Sequence, residues 1–177
     1  MPLEGSQTEN NLKKLFTTYS RNLAQYGLFA EEARREGNEY IATVFDEAAD
    51  QVLAHTRLIY KNILGRVKSS EENLRYSSLG TEYNLNKLLE YEQTAIEEGL
   101  EEIADFYKEL RVVINLHNRL FSGLYTRMSN GTLYKRDTVE IWQCLNCGYL
   151  HEGKEAPMVC PLDKYPQGWY KLLCPVF

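Results

Sequence analysis

The residues best suited to chemistry lie near the C-terminal end of the chain, in two short turns of the same spacing. Cys144 and Cys147 form a C-x-x-C turn with Gly148 directly behind it, and Cys160 and Asp163 repeat that spacing as C-x-x-D. Two thiolates in such a turn reach the same metal ion, and the glycine lets the backbone curl around it. The two turns together predict a tetrahedral iron or zinc site with Cys144, Cys147, Cys160 and Asp163 as ligands.

Two features of this predicted site stay open at the level of sequence. Asp163 is assigned as the fourth ligand by its position alone, and Cys174 is the alternative, although it lies outside the ligand spacing. The spacing does not separate iron from zinc, so a structural zinc ion is the alternative to a redox-active iron. A carboxylate ligand is a harder donor than a thiolate, which would make one coordination position exchangeable.

Composition and charge argue against several classes of protein. The chain has 177 residues, a formal net charge of −5 and four cysteines. A negative net charge argues against a phosphate-backbone partner, and the sequence has no apolar run long enough to cross a bilayer. Cysteines without export features favour metal ligation over disulfides, so we expect a cytoplasmic protein that binds neither nucleic acid nor membrane.

Four long stretches ahead of the cysteine turns carry apolar residues at helical spacing. They predict helices over residues 6–36, 38–64, 70–98 and 100–128. Ser6 followed by Glu9 indicates a capping box at the first helix, and Gly37 and Gly99 mark the ends of the first and third. In the cysteine module, short strands are predicted at 140–142 and 169–173.

The helical stretches contain an internal repeat. Gly37 and His55 recur as Gly99 and His117 at a constant offset, since 99 − 37 = 62 and 117 − 55 = 62. An offset that spans a helix pair predicts two similar helical hairpins, which pack naturally as a four-helix bundle. The repeat also places the two histidines at matching positions on the second and fourth helices.

The chain resembles the rubrerythrin family in both of its parts. The tail resembles the rubredoxin-like domain of that family, through the stretches Trp142-Gln-Cys-Leu-Asn-Cys-Gly-Tyr149, Ala156-Pro157 and Cys160-Pro161. The helical part resembles its ferritin-like bundle, through Gly5-Ser6, Ile41-Ala42, Ala49-Asp50, His55 and Glu98-Gly99. The resemblance implies a mainly α fold: a ferritin-like four-helix bundle at 1–128, a linker at 129–141 and a small rubredoxin-like β module at 142–177.

The resemblance also exposes a departure from the family pattern. In that family the bundle holds two irons through Glu-x-x-His pairs and further glutamates. Here the histidines match at His55 and His117, but the glutamate positions of the first, second and fourth helices fall on Tyr19, Val52 and Ile114. On the third helix they fall near Gly80 and Tyr83, with Glu82 one position out of phase. We therefore predict that the bundle lacks a di-iron centre, that its former site is packed with Tyr19, Val52, Tyr83 and Ile114, and that both histidines are hydrogen-bonded core residues. A single metal ion or a haem held by both histidines is the alternative.

These observations favour a redox protein that cycles one iron in its C-terminal module. The resemblance implies a redox donor or acceptor as partner, and a homodimer or pairing with a related rubrerythrin. Two alternatives come from other classes: a peroxide reductase of oxidative-stress defence with an altered bundle site, and a non-redox interaction protein that carries zinc in its tail.

Overall fold

The structure is a computed structural model that describes residues 2–173. The chain divides into two compact units, Met1–Lys68 and Ser69–Phe177. The first is a helical hairpin. The second is a helical hairpin followed by a small β-sheet.

The first unit pairs α1 (Gln7–Arg35) with α2 (Glu39–Arg57), and α2 continues as a π-helical segment, Leu58–Ile63. The Ser6 side chain caps α1 by accepting a hydrogen bond from the Glu9 backbone N–H at 3.1 Å. The Glu9 carboxylate accepts from the Gly5 N–H at 2.8 Å rather than from Ser6, so the predicted capping box forms only in part. The π-helical segment was not predicted, because a single wide turn leaves no mark on apolar periodicity.

The internal repeat appears in the structure as two turns of the same kind. Gly37 and Gly99 both have positive φ, 80° and 73°, and each ends a helix in a left-handed cap. Ala42 and Ala104, one repeat apart, are both buried just after these turns. Small residues at this point let the paired helices approach closely, and the two hairpins therefore share one design.

The inner stripes predicted from apolar periodicity are only partly buried. Burial in the first hairpin concentrates on Ala30, Ala33 and Ala42, with Phe45 packed against them. Larger apolar residues on the predicted inner faces of the helices, such as Ile41 and Phe106, are exposed. The reason is geometric, since two paired helices cover only the residues along their line of contact.

The second unit begins with α3 (Ser70–Glu97) and α4 (Glu101–Ser129). Ser69 and Glu72 form a full capping box at the start of α3, which was not predicted. Three strands follow: β1 (Lys135–Cys144), β2 (Leu150–Glu155) and β3 (Tyr170–Leu172). The sheet is antiparallel in the order β2-β1-β3, with β1 in the centre.

The predicted fold class is confirmed: four long helices precede a small C-terminal β module. Strand β1 begins at Lys135, inside the stretch 129–141 that was predicted as a linker, and continues without interruption into the first metal turn. Strand β2 was not predicted, because its residues are mostly polar and show no clear alternation. The division into domains stays a prediction. Within residues 2–173, no helix is long and apolar enough to cross a bilayer.

Candidate metal centre

The two predicted turns have the same backbone hydrogen bonds. In the first, the Cys144 N–H donates to the Tyr149 carbonyl at 2.9 Å, and the Gly148 N–H donates to the Cys144 carbonyl at 2.9 Å. In the second, the Cys160 N–H donates to the Tyr165 carbonyl at 2.8 Å, and the Lys164 N–H donates to the Cys160 carbonyl at 3.0 Å. The chain therefore builds one turn twice and faces the two copies towards each other.

The residue behind each turn adopts the same left-handed conformation. Gly148 has φ = 76° and Lys164 has φ = 65°. Glycine adopts this conformation readily, whereas lysine is strained in it. In this shared geometry Asp163 occupies, in the second turn, the place that Cys147 occupies in the first.

The four predicted ligands come together at metal-binding distances. The Sγ atoms of Cys147 and Cys160 are 3.6 Å apart, and the Cys144 Sγ is 3.5 Å from the Asp163 Oδ2. All four ligand atoms lie within 4.8 Å of one another. Ligands held tetrahedrally at about 2.3 Å from a metal would be separated by about 3.7 Å. Three sulfurs and one carboxylate oxygen at this spacing fit a tetrahedral iron or zinc ion.

The Asp163 carboxylate is held in position by two further donors. The Asn146 side-chain amide donates to Oδ2 at 2.9 Å, and the Tyr165 backbone N–H donates to Oδ1 at 3.1 Å. Burial opposes the charged form, but these hydrogen bonds and those from the neighbouring thiols hold the pKa of Asp163 well below its usual range. Asp163 is thus a carboxylate whose Oδ2 faces the three sulfurs.

The thiols of the centre lie beside other acidic groups, namely one another and the Asp163 carboxylate. The pKa of Cys147 is raised to about 12, mainly by burial and also by hydrogen bonds with Asp163, Cys160 and Cys144, while the Tyr149 backbone acts in the opposite direction. A metal cation reverses this balance, because it stabilises the thiolate form of each cysteine. The donor set, four anions once deprotonated, suits a divalent or trivalent ion.

A small apolar core supports the centre from the side of the sheet. Two of the ligands, Cys144 and Cys160, are members of this core together with Trp142, Ala156 and Tyr170. The Trp142 indole N–H donates to the Gly153 carbonyl at 3.0 Å, which fixes the ring. The other two ligands, Cys147 and Asp163, are half-buried and form the outer edge of the centre.

The residues predicted at the former bundle site lie in both units. In the first, Tyr19 and Val52 are half-buried, and the Tyr19 ring lies 5.6 Å from the ring of His55. His55 is exposed, so it is not a core histidine of its own hairpin.

In the second unit, Ile114 is half-buried while His117 and Tyr83 are exposed. The His117 ring lies 6.2 Å from that of Phe121, and Lys87 places its ammonium 5.9 Å from the Tyr83 ring centre. The predicted site would be formed by both hairpins together, so its packing and the core position of its histidines stay predictions. Cys174, the alternative ligand, lies outside the described residues.

Three residues of the centre were missed from the sequence. Asn146 lies between the two cysteines of the first turn. Its hydrogen bond to Asp163 could not be predicted, because the sequence does not show that the two turns face each other. The left-handed conformation of Lys164 was missed because lysine rarely adopts it, so a lysine in the sequence does not predict it. Tyr170 looks like an ordinary strand aromatic, and only the pairing of strands could have indicated its place beside the sulfurs.

Known proteins resemble this chain along most of its length. Residues 142–170 match the family described as rubrerythrin, rubredoxin-like domain. A rubrerythrin of Porphyromonas gingivalis is 32% identical over 182 residues, covering 96% of this chain and 91% of the relative. A rubrerythrin of Nitratidesulfovibrio vulgaris is 29% identical over 184 residues, covering 97% and 96%. A partially reduced nigerythrin structure is 23% identical, covers 95% of this chain and 87% of that chain, and has a TM-score of 0.36.

Proposed function

Since the chain belongs to the rubrerythrin family, we propose that it is an electron-transfer protein that works through one iron ion in its C-terminal module and holds no di-iron centre in its helices. The observation that carries the proposal is the contrast between its two metal regions. The tail brings together four anionic ligand groups within 4.8 Å. The helices carry apolar and phenolic residues where carboxylates are needed.

The tail is suited to hold iron through Cys144, Cys147, Cys160 and Asp163. An iron ion with such ligands supplies one-electron transfer between its ferric and ferrous states. The protein contributes the environment: the sheet covers the Cys144 and Cys160 side, while Cys147 and Asp163 form the outer edge. Electrons would enter and leave at this outer edge, where a redox partner approaches most closely.

The helices lack the groups that a di-iron centre requires. Such a centre in a helical bundle takes a Glu-x-x-His motif from each of two helices and a glutamate from each of the others. Val52 stands at the glutamate position before His55, and Ile114 stands at the glutamate position before His117. Neither aliphatic side chain can bind a metal or balance its charge.

Metal analysis tests both halves of this proposal. Protein purified from cells grown with ample iron should contain about one iron per chain and show sulfur-to-iron absorption bands that fade on reduction. About three irons per chain, as a di-iron centre would add, would contradict the loss of the bundle site and favour the alternative of a peroxide reductase. A colourless protein with one zinc would contradict electron transfer and favour the alternative of an interaction protein.

The fourth ligand is tested by substituting Asp163→Cys. A fourth thiolate should move the absorption bands and the reduction potential to those of a four-thiolate iron site, since hard and soft donors tune the iron differently. Asp105→Cys is the matched control: it adds one thiol on the exposed face of α4 and should leave the spectrum unchanged. Identical spectra for wild type and Asp163→Cys would show that Asp163 does not bind the metal.

A further inference from the structure

The hydroxyl group of Tyr170 is buried beside the metal centre without a good partner. The residue is 4% exposed and belongs to the same core as Cys144 and Cys160. Among the described residues, its oxygen makes no hydrogen bond of good geometry. A buried hydroxyl left unpaired costs free energy, so its position calls for an explanation.

The pairing of strands β1 and β3 places the Tyr170 side chain on the same face of the sheet as a ligand sulfur. In the antiparallel pairing of β1 and β3, Tyr170 lies directly opposite Cys144. Opposed residues of an antiparallel pair project to the same face of the sheet. Tyr170 therefore emerges from the sheet on the side from which Cys144 reaches the metal.

The buried core offers sulfur atoms as acceptors to this hydroxyl. Cys144 and Cys160 pack in the same core as Tyr170 and are 1% and 0% exposed. Burial, and after it the neighbouring Cys160 sulfur, raises the pKa of the Tyr170 phenol above its usual range. The hydroxyl is therefore a donor beside a sulfur that accepts hydrogen bonds once a metal ion holds it as a thiolate.

We propose that Tyr170 is a positioning residue of the metal centre, whose hydroxyl donates a hydrogen bond to the Cys160 sulfur when a metal ion holds that sulfur as a thiolate. The inference rests on the proposed iron site. The ferrous site carries one negative charge more than the ferric site, so a donor to sulfur stabilises the reduced state more and raises the reduction potential. The Tyr170 ring also excludes water from the part of the centre that faces the sheet.

The test is the reduction potential of the iron-loaded full chain with Tyr170→Phe. Losing the hydroxyl should make reduction roughly tenfold less favourable, a shift of about 59 mV to lower potential for one electron. Tyr134→Phe is the matched control, because Tyr134 packs against the same core and lies outside the ligand set; its potential should equal that of wild type. An unchanged potential in folded, iron-containing Tyr170→Phe would overturn the inference.

A second measurement does not depend on the stability of the variant. In wild-type protein loaded with ¹¹³Cd, the Tyr170 hydroxyl proton should exchange slowly with solvent and show a through-bond coupling to the cadmium by way of the Cys160 sulfur. A freely exchanging, uncoupled hydroxyl would overturn the inference. A phenolate-to-iron absorption band that disappears in Tyr170→Phe would also overturn it, because Tyr170 would then be a ligand. Protein that takes up no metal at all would count against the proposed function instead.

Discussion

At the scale of single residues, the centre depends on side chains that differ from the simplest version of their motif. Asp163 replaces a thiolate with a carboxylate, and Asn146 and the Tyr165 backbone hold that carboxylate in place. Lys164 takes a left-handed conformation that glycine takes in the other turn. Each departure has a physical consequence that a single substitution can measure.

Replacing Lys164 with glycine should stabilise the metal-loaded protein. A non-glycine residue in the left-handed region costs about 1 kcal/mol, which glycine avoids. The substitution Lys164→Gly should therefore raise the free energy of unfolding by up to about 1 kcal/mol, measured by denaturant titration of the zinc-loaded protein. Lys164→Ala is the control, because it also removes the bond from the lysine ammonium to the Pro161 carbonyl but keeps the strained φ. A glycine variant no more stable than the alanine variant would contradict the prediction.

At the scale of elements, Glu9 ties the start of α1 to the segment that follows α2. Its side chain is 8% exposed and accepts hydrogen bonds from the Gly5 N–H and the Arg66 guanidinium, at 2.8 Å and 3.0 Å. The Lys13 ammonium lies 2.7 Å from the same carboxylate. One buried carboxylate thereby joins the helix start to residues 57 positions away in sequence.

The contribution of Glu9 should depend on pH. The hydrogen bond from Lys13, the Gly5 N–H and the Arg66 contact lower its pKa from 4.5 to about 2. Because the folded pKa is depressed, the stabilisation is complete above about pH 4.5 and is lost as the pH falls towards 2. Glu9→Gln should lower the free energy of unfolding at neutral pH, with a difference from wild type that shrinks on acidification. Glu31→Gln, on the exposed surface of the same helix, should show no such pH-dependent difference.

At the scale of the whole molecule, the two regions differ in what holds them together. The helices pair through extended contact and are long, 29 residues for α1 and 29 for α4. The β module has a core of five buried residues, of which Cys144 and Cys160 are metal ligands. A core this small gains much of its stability from the metal itself.

Removing the metal should therefore unfold the module and leave the helices. Chelation at neutral pH should shift the fluorescence of Trp142 to longer wavelength, because this residue is only 1% exposed in the folded module. The Trp169→Phe variant isolates that signal, and the helical circular dichroism should persist. Re-addition of metal serves as the control for reversibility. Fluorescence that does not change on complete metal removal would show that the apolar core suffices.

The features that are local in the chain could be predicted from the amino-acid sequence. The spacing of the cysteines predicted the ligand turns, apolar periodicity predicted four helices to within a few residues, and a constant offset predicted two hairpins with matching turns at Gly37 and Gly99. Each of these depends on interactions between residues close in sequence, which a pattern records directly.

Which groups from distant parts of the chain come into contact became evident only from the folded structure. It brought the Asn146 amide onto Asp163, placed Tyr170 opposite Cys144 and left His55 exposed rather than in the core of its hairpin. These outcomes depend on strand register, on the facing of two turns and on which side of a helix touches its neighbour. A periodic pattern fixes the face of an element but not its partner, and for that reason the chemistry around the metal ligands could be worked out only in three dimensions.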